Sequence, residues 1–371
     1  MKIFVNIARI IVGVLFIFSG LIKANDPLGL SYKMQEFFEV WNLHGFNQYT
    51  ITLSILMIVF EIVAGVAVLI GWKMRLFSWL LLLLILFFTF LTGYALFSGK
   101  IRECGCFGDC IPLQAHHSFI KDIILLGLIL FIFPYRNRIR PVMRPRSAFI
   151  ILALSVIASV GLQFYVLHHL PIVDCLPYKP GNNIPEKMKA PPGSIPDSTV
   201  IVFTYEKAGK QYSFTADQFP EDFDDSYTFV KREDKIVRKG NAVAAIRDFS
   251  LQTLNGNDTT IALLSEPGNK IFLFIKDGYE RGDWSNMMNS ITNKAKEKNV
   301  PAFLVTNLEV EAGDRNFFPS LFPLRSDGTA IKTAARVNPT LFLINGGTIV
   351  AKWAFNDFDE ALKRIEQLPQ Q

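Results

Sequence analysis

The chain has 371 residues, half of them apolar, with a positive mean hydropathy of +0.28. That length leaves room for two or three units, and the apolar share and positive hydropathy are high for a soluble protein of this size. The net charge of +5 is small and stems largely from one arginine cluster, so it gives no reason to expect a nucleic-acid partner.

The apolar residues crowd into the first 170 positions. A bilayer core needs about 20 mostly apolar residues in a helix, and five stretches qualify or nearly do. Ile3–Ile22 is broken only by Asn6 and Arg9, and Thr50–Ile70 holds a single acid, Glu61. Leu76–Phe97 has no charge at all, Phe119–Phe133 carries Lys121 and Asp122 near its start, and Ser147–Leu167 is the fifth. A cleaved signal peptide is the competing reading of the first stretch, but no small-x-small site follows it and Lys23 comes at once. Lys23 and Asp26 are expected to anchor that span at the interface. Trp41, Trp72 and Tyr135 read as interfacial aromatics.

Basic residues set the expected direction. The segment 135–146 between spans four and five has five arginines and no acid, and the turn between spans two and three carries Lys73 and Arg75. The positive-inside rule keeps both in the cytoplasm. With five spans the N-terminus is then cytoplasmic, and the loops 23–49 and 98–118 and everything after Leu167 lie outside the cytoplasmic membrane, in the periplasm. Lipid is thus the first partner.

On that outer side fall all four cysteines: Cys104, Cys106 and Cys110 in one loop, and Cys175 eight residues past span five. An even count in an oxidising compartment points to pairing, and three pairings are open. A Cys104–Cys106 bridge would close a very tight, easily reduced ring. The cysteines read in three ways: thiol–disulfide exchange, two static staples, or, with His116 and His117 nearby, a metal site whose cysteine spacing suits zinc poorly. The candidate redox residues are therefore Cys104, Cys106, Cys110 and Cys175. Glu61, an acid deep in a span, is a candidate proton relay or a structural ion pair with Arg9.

The opening Arg9-Ile10-Ile11-Val12-Gly13-Val14-Leu15-Phe16-Ile17-Phe18-Ser19-Gly20-Leu21-Ile22-Lys23 resembles the first helix of DoxX-like membrane proteins. Cys104-Gly105-Cys106-Phe107-Gly108 after a third helix resembles the MauE branch of that superfamily, and the resemblance covers residues 1–135. It implies a redox-associated envelope role, since MauE is associated with maturation of a disulfide-rich dehydrogenase and DoxX relatives with quinone-dependent thiosulfate oxidation. A quinone is accordingly the one cofactor it brings into view, and an envelope protein with disulfides the protein partner. Such a bundle with a long soluble extension is typical of Bacteroidetes-type envelopes.

The extension opens with a Pro-, Gly- and Asn-rich stretch, 171–195, expected to be a linker over the membrane surface. Thr199–Tyr205 and Gln211–Thr215 form a predicted hairpin around Ala208-Gly209, and Tyr227–Arg232 with Lys235–Arg238 a second around Glu233-Asp234. Residues 171–239 thus form a linker and a small β-rich platform. In 240–371 the pattern predicts a short hairpin at Ile246–Leu251 with Asn255-Gly256, a buried strand Lys270–Lys276, a helix Trp284–Lys298 and a strand Ala302–Thr306. A strand, turn and returning strand across Val337–Val350 and a helix Phe358–Gln367 close the chain.

That order resembles a thioredoxin fold of the TlpA or peroxiredoxin-like kind, with Pro339 at the position of its cis-proline. The turn 277–284 that would hold Cys-x-x-Cys has no cysteine, so this domain cannot itself exchange disulfides. The expected architecture is a four-helix DoxX-like bundle (1–135), a basic loop and fifth transmembrane helix (136–170), the β-rich segment, and an α/β thioredoxin-like domain lacking CxxC. Support of thiol–disulfide processing in the envelope is the expected function. A non-enzymatic scaffold and a quinone-linked oxidoreductase subunit are the alternatives.

Overall fold

The computed structural model describes residues 2–101, 105, 107–196, 198–221, 223–238, 240–276, 284–308 and 320–371. Five helical segments among them are long and apolar enough to cross a membrane: Lys2–Asn25, His44–Ile70, Met74–Ser98, Ala115–Tyr135 and Pro145–His168. Within them lie α1 (Lys2–Asn25), α3 (Thr50–Ile70), α4 (Met74–Ser98), α5 (Ala115–Ile132) and α6 (Pro145–His168). Val12, Phe16, Ala64, Val68, Leu81 and Ile85 form the centre of the bundle. Helices α1 and α3 approach closely where Gly13 meets Gly65, because a Cβ on Gly65 would lie 2.9 Å from the Gly13 carbonyl oxygen. Small residues at such a crossing replace the hydrophobic drive that lipid removes.

The loop after the first span contains a helix the apolar pattern does not announce, α2 (Pro27–Val40). Asp26 caps it by accepting from the Gly29 N–H at 3.0 Å, and Pro27 supplies a pre-set first turn. Trp41, expected in an interfacial belt, stops this helix and packs on Phe37, Phe90 and Tyr94.

The two ends of the bundle differ. At one, the Val142 N–H donates to the Ile70 carbonyl at 3.0 Å and Arg75 Nε to Asn137 Oδ1 at 2.7 Å, so the arginine segment folds against the α3–α4 turn. At the other lie α2, the described part of the 105–114 loop and everything after His168.

Beyond the bundle, β1 (Ser198–Lys207), β2 (Lys210–Thr215) and β3 (Thr228–Arg238) form a three-stranded antiparallel sheet in the order β2-β1-β3. The first hairpin turns at Ala208-Gly209 as expected. The second does not exist: β3 is one continuous strand along β1, with Glu233 opposite Val202 and Asp234 opposite Ile201. The polar Glu233-Asp234 pair reads as a turn, but on an exposed strand its carboxylates instead reach Lys231 and Arg232, two residues back on the same face.

The remaining strands, β4 (Asn269–Ile275), β5 (Ala302–Thr306), β6 (Phe322–Arg325), β7 (Thr340–Asn345) and β8 (Thr348–Ala354), make a mixed sheet ordered β6-β5-β4-β7-β8. β4, β5 and β6 are parallel; β7 and β8 run antiparallel to their neighbours. The β7–β8 turn uses Gly346 and Gly347, both with positive φ. The Asn338–Pro339 peptide is cis.

Alternation buries both faces of this sheet. Ile271, Leu273 and Leu341 pack against Trp284, Met288 and Ile291 of α9 (Trp284–Glu297), while Phe272, Phe274 and Phe342 face the opposite core. That opposite core is built by unexpected residues. Tyr178 and Ile184 from the stretch read as a linker, with the short helix α7 (Ile184–Lys187), join α8 (Thr260–Ser265) and α10 (Gly328–Ala334) there. Gly181 N–H donates to Ile349 O and Ile184 N–H to Gly347 O, so this segment is bonded to the sheet and is part of the α/β unit instead of a free linker. Ile246–Leu251 forms no strand. Its Ile246, Phe249 and Leu251 are core residues, and only Gln252 bridges to Asp258 and Arg325. The closing helix is α11 (Phe358–Glu366).

Candidate functional site at the junction of bundle and α/β unit

Cys110 and Cys175 form a disulfide across 65 residues of sequence, with Cα atoms 4.8 Å apart. It settles one of the three open pairings. Each cysteine follows an aspartate, and each aspartate meets a buried cation of the α/β unit. Asp109 accepts from Arg336 Nη2, and Asp174 Oδ2 lies 2.6 Å from Lys352 Nζ. Arg336 also donates through Nε to Asp26 Oδ2 at 2.9 Å, so the cap of α2 doubles as an anchor. Asp26 is therefore no membrane anchor of the kind its position suggests.

Burial alone would lower the Arg336 pKa, but Asp26 and Asp109 outweigh that and hold it above its ordinary value. Lys352 goes the other way. Burial pushes its ammonium below the usual lysine range, and Asp174 offsets only part of the effect. Further links surround the pair. Lys276 Nζ donates to Tyr32 Oη at 2.5 Å, Asn25 bonds the Val173 carbonyl and amide, and His169 Nδ1 lies 2.6 Å from Asp357 Oδ1.

Beneath this joint, inside the bundle, lies a cluster of charges. Lys23 Nζ is 2.7 Å from Glu61 Oε2, with side chains 3% and 2% exposed. The expected Glu61–Arg9 pair does not form, because Lys23 sits at the depth of Glu61 while Arg9 lies near Gly71 at the far end. Nor does Lys23 reach the interface: its counter-charge and the Phe88 ring, 4.8 Å away, hold it inside. Lys121 pairs with the wholly buried Asp122 at 3.0 Å, and Thr92 Oγ1 donates to Asp122 Oδ2 at 3.0 Å. Lys121 Nζ also lies over the Phe107 ring, 4.8 Å from its centre.

Two hollows open here. One of about 20 Å³ is lined by Ser19, Lys23, Glu61, Phe107, Lys121 and Asp122, room for a single water. A second, of about 200 Å³ and mostly apolar, is lined by Leu30, Met34, Phe37, Trp41 and Met57 and also by Lys23, Lys33 and Gly105. Gly105 and Phe107 are the residues beside Cys106 in the chain. Cys104 and Cys106 themselves, and residues 277–283, which include no cysteine, lie outside the described residues. Among the described residues no group of three or more His, Cys, Asp or Glu is placed to hold a metal. His116 and His117 contact one another at 3.1 Å.

Sequence reasoning missed Asp26, Asp109, Asp174, Lys352 and Arg336. Arg336 and Asp26 are 310 positions apart, and no local pattern joins them. Asp26 was within reach, since Asp-Pro before a mixed polar and apolar run is a helix-start signal.

The family model described as "Methylamine utilisation protein MauE" matches residues 1–135, the stretch that ends with the fourth span. A second, "Domain of unknown function (DUF8463)", matches residues 199–239, the three-stranded sheet. No curated protein and no solved structure matches the chain. The first 135 residues are thus similar to MauE, and with five helices long and apolar enough to cross a membrane the chain has the makeup of a multi-pass membrane protein.

Proposed function

We propose that this protein supports thiol–disulfide processing on the outer face of the cytoplasmic membrane, with Cys104 and Cys106 as the exchanging pair and Cys110–Cys175 as the brace that holds their loop. The observation that carries the reading is the Cys110–Cys175 disulfide. It consumes two of the chain's four cysteines and leaves two that are separated by one glycine. A ring that small is strained when closed, and strained disulfides are the reducible ones. Oxidation of a client then runs by attack of a client thiolate on the Cys104–Cys106 disulfide. The mixed disulfide resolves to a client disulfide, and both loop cysteines leave as thiols carrying the two electrons.

The direction across the membrane rests on the acid-free basic end of the bundle, which the positive-inside rule keeps in the cytoplasm. The α/β unit reads as thioredoxin-like, supported by its strand order and the cis Asn338–Pro339 peptide. Without a cysteine in the 277–283 turn it acts as a dock over the loop. The 200 Å³ apolar hollow beside Lys23 and Gly105 suits a prenyl chain. A quinone there would supply an acceptor for two electrons and two protons, with Lys23 and Glu61 as the nearby groups able to hold a proton.

The test is thiol labelling of the full-length protein in membranes. Under mild reductant Cys104 and Cys106 are expected to label while Cys110 and Cys175 stay protected. Cys104→Ser is expected to trap mixed disulfides through Cys106, and Cys104→Ser/Cys106→Ser to leave client proteins reduced. Unchanged client disulfides in the double variant would favour the scaffold reading instead.

A further inference from the structure

The end of the bundle opposite the disulfide holds charges that the proposed redox role does not use. Residues 1–10, 66–80 and 133–150 together carry nine Lys or Arg and no Asp or Glu. Among the described residues none of these cations pairs with a carboxylate. Most are exposed, as a basic loop should be.

Arg9 is not exposed. It is 6% accessible, and its Nε and Nη1 meet no hydrogen-bond acceptor among the described residues. Its guanidinium presses on the α3–α4 turn: a Cβ on Gly71 would lie 2.6 Å from Nη1. The carbonyl end of α3 offers some compensation. A cation shut away from water without a counter-charge is nonetheless costly.

Gly71 also lines a hollow of about 390 Å³, together with Lys73, Arg75, Arg136, Asn137 and Ile139 among others. Two of its cations are held in place. Arg75 Nε is held by Asn137 at 2.7 Å, and Arg136 Nη1 by the Phe133 carbonyl at 2.8 Å. Those bonds leave the remaining guanidinium donors free of carboxylates. A concave, acid-free, multiply basic site at the end of membrane helices is the chemistry that recognises an anionic phosphate, and at that place the phosphate on offer is a lipid headgroup.

We propose that this hollow binds the headgroup of an anionic phospholipid, and that its phosphate supplies the missing counter-charge to the Gly71 end of Arg9. The acyl chains would run along the apolar outer surfaces of α4 and α5. Leu83 and Phe90 of α4 and Ile124 and Leu130 of α5 are all more than half exposed. The inference is independent of the cysteine chemistry.

Native mass spectrometry of the full-length protein in detergent tests it, titrating phosphatidylglycerol, phosphatidylcholine and glycerol 3-phosphate at 0.15 M salt. One phosphatidylglycerol is expected to bind preferentially. Arg75→Gln/Arg136→Gln, within the hollow, should weaken it on the order of tenfold per guanidinium removed. Arg144→Gln/Arg146→Gln, the same charge change on the same loop outside the hollow, should stay within about fivefold of the parent. Equal weakening by both pairs would mean a diffuse field and overturn the site. Equal binding of phosphatidylcholine would reduce it to an apolar contact, and displacement of the lipid by glycerol 3-phosphate would make it a free-phosphate site. Either result also overturns the proposal.

Discussion

The three-stranded and five-stranded sheets follow one another closely in the chain, yet they are held by different means. Every residue of β4 is buried, and the α/β unit is fastened to the membrane bundle by a disulfide and by Arg336 and Lys352. β2 is mostly exposed, and its sheet is held by rings packed edge to face, such as Tyr205, Phe214, Phe219 and Phe223. The small sheet is an insertion. The Ile195 carbonyl accepts from the Asn241 and Ala242 amides at 2.8 and 3.1 Å, so the chain leaves and re-enters the α/β unit at one point. One unit is built into the membrane protein, and the other is carried on it.

Breaking the clamp should have the largest effect. Arg336→Met strands Asp26 and Asp109 at the joint and is expected to cost about 3–5 kcal/mol. The measurement is thermal unfolding of the purified protein in detergent, with limited proteolysis at 169–176 reporting release of the α/β unit. Adding Asp26→Asn and Asp109→Asn should recover part of the loss. A variant as stable as the parent would show that the ion pairs do not hold the joint.

The disulfide comes next. Chain entropy alone would assign a 65-residue loop about 4 kcal/mol, but this loop contains α5 and α6. Two membrane-embedded helices keep the loop's ends near one another even when the α/β unit unfolds. Cys110→Ser/Cys175→Ser is therefore expected to cost about 2 kcal/mol by the same unfolding measurement. A loss near the full entropic value would mean that the spans give no such restraint.

The spans were legible in the sequence because about 20 apolar residues in a row suit a bilayer-crossing helix and little else. The alternation of β4 and β7 was equally plain, since inward Leu, Ile and Phe leave a period of two or an unbroken run. What failed was any feature decided by a distant partner. Lys23 next to a span end looks interfacial until Glu61 is found at its depth. Glu233-Asp234 looks like a turn until β1 is seen to continue past it. The Pro- and Gly-rich stretch that holds Tyr178 looks like a linker because prolines and glycines mask two core side chains. Of the candidate site, sequence supplied the cysteines and Glu61. The cations that hold the disulfide's neighbours were invisible.

Removing the carried unit should do little. Replacing residues 197–239 by Gly-Ser joins two points that already touch, and the unfolding midpoint of the remainder is expected to stay within about 0.5 kcal/mol of the parent. A large loss would show that the small sheet supports the α/β unit after all, and the contrast between the two would fail.

The smallest effect compares one exposed carboxylate from each unit. Asp258 accepts from the Thr260 amide at 2.8 Å and hydroxyl at 2.6 Å, and Asp224 accepts from the Ser226 amide and hydroxyl in the same way. In both, the hydroxyl bond first and the amide bond second hold the carboxyl below its ordinary range. A depressed carboxyl adds stability that is present above the unfolded value and is lost as pH falls through the folded one. Thr260 Oγ1 is also the acceptor for the buried Leu251 N–H, so Asp258 acts on a core segment, whereas Asp224 acts on a turn of the carried sheet. Asp258→Asn is therefore expected to lower the unfolding midpoint near pH 6 by roughly 1 °C, after allowance for solvent screening. That gap should close as pH drops below the ordinary carboxylate range and both proteins carry a neutral side chain. Asp224→Asn should leave the midpoint unmoved at every pH. A shift from Asp224→Asn as large as that from Asp258→Asn would mean that the two units unfold as one.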